Sequence, residues 1–285
     1  SSAVYAATVP VGLLPAGVPI ACLIGDSHGA LFGHGRFSAN AVKATYGTGS
    51  SLMAATPQAV TSSHGLSSTV AWSMAREGGA ATATYALEGN IYATGAAVRW
   101  LGETLGLKGG GDAVERLARQ TPDAGGVYLV PAFAGLGAPY WDADARGLFA
   151  GITLGTIRAH LARAAIEAIA YQIADVFDAI AADMAGRLDE LLADGGASRN
   201  DLLMQFQADV IGKPVLRSTS PELSALGAAY LAGLAVGLWP SLQAIADLAP
   251  PHEAFTPSME PERRSQLRDG WRRTVARALA PGNTP

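Results

Sequence analysis

Three short stretches carry side chains and backbone able to do chemistry. Asp26 ends the apolar run "PIACLIGD". A carboxylate there, partly desolvated by its neighbours, is placed to take a proton from a hydroxyl nucleophile. Asp also caps helices and turns, so an isolated Asp leaves both readings open. The stretch "KATYGTGSSL" holds Gly47-Thr48-Gly49. Two glycines let backbone N–H groups turn toward one point without Cβ obstruction, and the hydroxyl adds a donor, as a terminal phosphate requires. The same triplet also serves as a plain turn between two strands. The third stretch, "LLADGGASRN", puts Asp194-Gly195-Gly196 after an apolar run and before a helix. A nucleotide can approach the backbone there and meet the positive end of the helix. The alternative is an ordinary strand-to-helix turn with Ser198 or Asn200 near the cap.

Weaker signals surround these. His28 follows Asp26 closely, and His34 and His64 are further potential ligands, but no zinc spacing is present and no metal site is expected. Pro139, Tyr140 and Trp141 stand beside the acids Asp142 and Asp144 and Arg146, a grouping that serves either core packing or a sugar cleft. Arg99, in "GAAVRWL", reads as a solvated helix charge or as a ligand contact.

The elements that position these residues follow from periodicity. Strands are expected at "PIACLIGD" up to Asp26, "AVKATYGT" up to Thr48, "STVAWSMA", and "ATATYALEG" up to Gly89. Helical spacing starts at Ile91 and runs through Val98 and Leu101, and a short helix covers Asp112 to Leu117. "GVYLVPAF" returns to strand. From Ala159 to Ile180, Ile166, Ile169, Ile173, Val176, Phe177 and Ile180 form one stripe that leaves Asp175 and Asp178 off it. Strand "ELLADGG", helix Asn200 to Ile211, strand "PVLRS" and a small-residue helix Ala225 to Leu238 complete an alternation typical of a layered α/β domain. The tail from Pro250 is helical from Glu262 to Leu279.

With 285 residues, 49% of them hydrophobic, the chain can bury one large core or two small ones. A net charge of −4 gives no footprint for nucleic acid, and no apolar run is long enough to span a membrane. Cys22 stands alone, and the start "SSAVYAATVP" lacks a basic region followed by an apolar one, so a reducing cytoplasm is the expected setting.

Taken together, these segments resemble the C-terminal half of the FGGY family of carbohydrate kinases, and within it the glycerol kinases most. The likeness covers nearly the whole chain. Its most specific part is residues 147–167, Gly147-x-Phe149-x-Gly151-Ile152, seven residues, His160-Leu161, two residues, then Ala164-Ala165-Ile166-Glu167. "YALEGNIYATGAAVRWL", "VPAFAGLGAPYWD", "DGGASRNDLLMQFQADVIGKPV" and "SALGAAYLAGLAVGLW" match in the same order.

The resemblance implies an actin-like, ribonuclease H-like ATPase domain, a mixed sheet with helices on both faces, and ATP with Mg²⁺ as phosphoryl donor. It implies that Asp26 is the general base on a sugar or polyol hydroxyl and also contacts that substrate. Gly47, Thr48 and Gly49 would hold the transferred phosphate, and Gly95, Arg99, Gly195, Gly196 and Asn200 the nucleotide. Glycerol kinases usually have Gln where Arg99 stands; a guanidinium there adds a charge-assisted contact. They also usually carry Gln-Gln where Ser27-His28 stand, and an aromatic residue at Ser51. Ser27 and Ser51 are substrate-side positions, and their smaller, more polar lining points away from glycerol to a longer polyol or a ketose.

The family's N-terminal domain opens with an Asp-x-Gly-Thr hairpin that helps place Mg²⁺, and no such motif occurs here. Residues 1–285 are therefore expected to be a C-terminal domain, with 250–285 as its helical tail. The N-terminal domain is the partner that completes the cleft, and a homo-oligomer is compatible with this arrangement. The isolated domain is expected to bind nucleotide weakly and not to turn over. Two other classes stay open: a non-catalytic actin-like nucleotide-binding module, and a sugar-binding or interaction domain whose glycine loops are structural.

Overall fold

The computed structural model describes residues 2–37, 40–76, 79–186 and 188–279. The first part is strand-rich: β1 (Ser2–Ala7), β2 (Pro19–Cys22), a short helix α1 (Asp26–Gly33), β3 (Ala41–Tyr46), β4 (Ser50–Thr56), β5 (Ser67–Arg76) and β6 (Gly79–Ile91). Helices α2 (Gly95–Thr104) and α3 (Gly110–Ala118) precede the strands β7 (Tyr128–Val130) and β8 (Leu148–Ala150). The long α4 (Arg158–Asp183) leads to β9 (Glu190–Asp194), α5 (Asp201–Ile211), β10 (Val215–Ser218) and α6 (Leu223–Ala235). A short α7 (Leu242–Ala246), β11 (His252–Phe255) and α8 (Pro261–Ala278) close the chain.

Nine strands form one mixed sheet in the order β11-β10-β9-β3-β4-β6-β5-β1-β2, and β7 and β8 pair separately. β3 is the point where the sheet changes character: it is parallel to β9 and antiparallel to β4. Side chains alternate across a strand, so β4 feeds two cores. Leu52 and Ala54 join Val42, Ala44 and Tyr46 of β3 against α4, where Ile166, Ile169 and Ile173 are buried. Met53 and Ala55 join Trp72, Leu31, Phe32 and Leu231 on the opposite face, under α1 and α6. Helices thus cover both faces, as the resemblance implied. Helix α1 lies so close to α6 that a Cβ on either Gly33 or Gly227 would overlap the facing backbone.

Several expectations need correction. The strand "PIACLIGD" stops at Cys22, where its pairing with β1 runs out, and Asp26 is the first residue of α1 instead of the end of a strand. An acid in the first turn complements the helix dipole, which accounts for the early start. Ile91 does not begin a helix; it is the last residue of β6, paired with Ser50, and α2 starts at Gly95. Segment 250–285 is not helical throughout, because β11 joins the edge of the main sheet antiparallel to β10. Its residues 280–285 lie outside the described ones. Asp175 falls off the apolar stripe of α4 but is buried, because the helix is enclosed on nearly every side. Its Oδ2 accepts from Tyr140 Oη at 2.8 Å and Trp271 Nε1 at 2.6 Å, and its Oδ1 from Arg268 at 3.1 Å. Burial pushes this carboxyl up, while Arg268 and the two hydrogen bonds hold it down. Among the described residues no helix is long and apolar enough to cross a membrane.

Candidate functional site

The strand directions bring the singled-out loops together. β3 and β9 are parallel, β4 is antiparallel to both β3 and β6, and so β3, β6 and β9 all end at one edge of the sheet. From that edge leave the Gly47–Gly49 loop, the chain entering α2 at Gly95, and the Gly195–Gly196 turn. The carboxyl ends of strands at such a switch point are where open α/β sheets hold their ligands.

Gly47–Gly49 is the hairpin loop between β3 and β4, closed by Gly47 N–H donating to Gly49 O at 2.9 Å. The turn reading is therefore structurally correct, and it does not compete with a ligand role. The loop's outward carbonyls cap the next helix: Thr48 O accepts from the N–H groups of Thr94 and Ala96, and Gly47 O from Gly95, at 3.0–3.1 Å. Thr48 itself is exposed.

Across a cavity of about 510 Å³, Gly95 and Arg99 of α2 face Gly196 and Asn200 at the entry to α5. The cavity floor is apolar and buried, made by Ile166, Ile169 and Leu203. Gly195 has φ of +89°, and a Cβ there would lie 2.7 Å from Tyr46 O, so only glycine fits against the end of β3. A Cβ on Gly196 would meet nothing within 4 Å, leaving open space beside the backbone. Asn200 is the N-cap of α5, its Oδ1 accepting from Leu203 N–H at 3.1 Å. The capping alternative thus holds for Asn200, at a residue that also lines the cavity.

On the other side of the sheet, Asp26 is exposed at the start of α1, with Oδ1 accepting from Ser27 N–H at 2.7 Å. Near it the sequence reading missed a polar floor. Lys43 of β3 is wholly buried, and its Nζ donates to Thr45 Oγ1 at 2.9 Å. Burial pushes its ammonium down, while the charges of Asp194, Glu88 and Asp26 hold it up. Ser51 Oγ donates to Glu88 Oε1 at 3.4 Å, which ties Ser51 to the same floor. Charged residues inside buried strands need partners, so Lys43 in "AVKATY" and Glu88 in "YALEGN" were available signals. His28 lies 3.5 Å from Thr69 Oγ1, and His64 meets Asp183 at 2.7 Å, while His34 meets Asp194 at 3.0 Å. The three histidines have separate partners, and among the described residues no three potential metal ligands converge. Tyr140 is held by Asp175, and Trp141 Nε1 donates to Gly65 O at 2.6 Å. Both therefore have structural partners.

Comparison with known proteins bears on the family and the fold. Residues 42–236 match the FGGY family of carbohydrate kinases, C-terminal domain. A glycerol kinase of Deinococcus radiodurans is 50% identical over 279 residues, 98% of this chain and 54% of that protein. Glycerol kinase 2 of Sulfolobus acidocaldarius is 46% identical over 267 residues, 94% of this chain and 53% of that protein. The chain spans about half the length of the curated relatives it matches. Among solved structures, a Plasmodium falciparum glycerol kinase with ADP superposes with a TM-score of 0.85 at 34% identity, over 93% of this chain and 52% of that one. A gluconate kinase from Lactobacillus acidophilus shares the fold, with a TM-score of 0.80 at 20% identity, over 98% of this chain and 57% of that one. The mixed sheet with helices on both faces is thus the actin-like ATPase fold of sugar kinases. By the match of its residues 42–236 and the ordered motifs around them, the chain belongs to the FGGY family of carbohydrate kinases.

Proposed function

We propose that this chain is the C-terminal, nucleotide-binding domain of a kinase that transfers the γ-phosphoryl group of Mg-ATP to a hydroxyl of a polyol or sugar. One observation carries the reading: Gly95 and Arg99 share an apolar-floored cavity with Gly196 and Asn200, next to the Gly47–Gly49 loop. The floor suits a purine, the open space beside Gly196 suits close approach of a nucleotide to backbone, and the adjoining loop suits its terminal phosphate. Mg²⁺ arrives on the phosphates of its nucleotide. A cytoplasmic setting, where ATP is supplied, goes with this reading. The relatives' length supports a further domain that completes the cleft.

Asp26 is the base in this mechanism. As the substrate oxygen forms its bond to the γ-phosphorus, the bond to the β,γ-bridging oxygen breaks, the hydroxyl proton passes to Asp26, and ADP leaves. Positioning and electrostatics supply most of the rate. Ser27 and Ser51 line the acceptor side, and their polar, short side chains favour an acceptor longer than glycerol.

The test is polyol-dependent ADP release by the complete protein. Asp26→Asn is expected to lower kcat by about 10²- to 10⁴-fold and to leave nucleotide affinity nearly unchanged. Full turnover by this variant removes Asp26 as base. ATP binding with no ADP release on any polyol or ketose favours the non-catalytic module instead.

A further inference from the structure

We propose that His34 is a positioning residue for the nucleotide turn, an inference that rests on the nucleotide reading above. His34 follows the last residue of α1 and is wholly buried. Its Nε2 lies 3.0 Å from Asp194 Oδ2, and its Nδ1 lies 3.2 Å from His252 Nε2. The two imidazoles stack with centroids 5.5 Å apart and planes 15° from parallel. An ionised carboxylate only accepts, so Nε2 of His34 carries the hydrogen and donates. His252 of β11 then holds the other ring nitrogen, which fixes the orientation of the ring. Burial, helped by His34 and Arg36, depresses His252 to about 4, so near neutral pH it is an uncharged partner.

The acceptor of this bond stands at a sensitive place. Asp194 is the last residue of β9 and is buried, and the next two residues are Gly195 and Gly196. Gly195 already lies against the end of β3 with no room for a Cβ, so the turn has one seat. The Asp194 carboxylate fixes how the chain enters that seat, and Gly196 beyond it lines the base cavity. The donor side is equally fixed, because α1 is pressed backbone to backbone on α6 at Gly33 and Gly227. A firmly seated helix thus holds the first residue of the nucleotide turn through one side chain. The nearby Lys43 ammonium attracts the same carboxylate. Without His34, Asp194 keeps that attraction but loses its buried donor, and the carboxylate is expected to turn toward Lys43 and carry the glycine turn with it.

The experiment measures KM for ATP and for the acceptor alcohol in the complete protein. His34→Ala is expected to raise KM for ATP about tenfold and to leave KM for the alcohol unchanged. His34→Gln, whose amide N–H can replace the Nε2 donor, is expected to return KM for ATP to within about threefold of wild type. A purely structural role would reduce the active fraction, lowering apparent kcat with both KM values intact, and that result overturns the proposal. Should His34→Ala not fold, Asp194→Ala, which removes the acceptor where Asn would keep one, takes its place: a raised KM for ATP supports the proposal and an unmoved one overturns it. Wild-type protein that binds no ATP removes the reading beneath; ATP binding with a KM indifferent to His34→Ala removes this inference alone.

Discussion

Gly95 donates its backbone N–H to Gly47 O at 3.1 Å, and a Cβ at position 95 would lie 2.6 Å from that same oxygen. The first residue of α2 and the first residue of the hairpin loop are therefore in direct backbone contact. One wall of the proposed nucleotide cavity and the proposed phosphate loop form a single piece.

Gly95→Ala must push that piece apart. Overpacking of this kind costs about 1–3 kcal/mol, which here is expected as weaker ATP binding, roughly tenfold, with a smaller fall in thermal stability. Nucleotide titration beside a melting curve checks it; an unchanged ATP affinity would mean that the contact relaxes without moving the loop.

Ser27 and Ser51 are where the acceptor specificity is expected to lie. Replacing both, Ser27→Gln with Ser51→Phe, brings in the residue types that glycerol kinases usually carry. The ratio of kcat/KM for glycerol over that for a pentitol should rise by at least about tenfold. Competition assays with the two alcohols read that ratio directly, and no change would place specificity elsewhere.

Glu167, the last residue of the family signature, is buried on α4, with Arg163 Nε donating to its Oε1 at 2.7 Å. Burial raises its carboxyl to about 7 against the pull of Arg163, from an ordinary 4.5. The folded state then binds the proton more tightly than the unfolded chain. Its contribution to stability is complete below about 4.5 and is lost as pH rises through about 7. Roughly 3 kcal/mol is the upper size of the effect. Glu167→Gln should remove this slope, so that its stability relative to wild type improves steadily from pH 5 to pH 8 in urea titrations. His252, depressed to about 4, slopes in the opposite sense, but it is present in both proteins and cancels in the difference. A pH-independent difference would show that Glu167 stays ionised.

How much of this was legible in the sequence depends on the range of the interaction. Gly47–Gly49 and Gly195–Gly196 were readable because a glycine loop after an apolar run has a local cause. The stripe of α4 and the start of α5 at Asn200 were local too. Asp26 was found as a residue but misplaced as an element, because β2 is an edge strand that ends when its partner does. β4 went unread as a strand, since "SSLMAAT" is held by neighbours on both sides and not by its own alternation. Lys43 and Glu88 were visible as charges inside apolar strands but were not read, and the pairing of His34 with Asp194 was not foreseen although both residues had been singled out. His34 and Asp194 lie 160 residues apart, a separation at which periodicity carries no signal.

The side-by-side placement of β3 and β9 has a consequence for how the chain acquires its site during folding. Thr45 pairs with Asp194, so two loops from distant parts of the sequence become neighbours only when that parallel pairing forms. Parallel pairing across such a separation is slow relative to local helix and hairpin formation. The hairpin loop can exist early; the two-sided cavity cannot precede the junction of β3 with β9. If the cavity is the nucleotide site proposed above, binding during refolding is expected to report the closure of the sheet's centre.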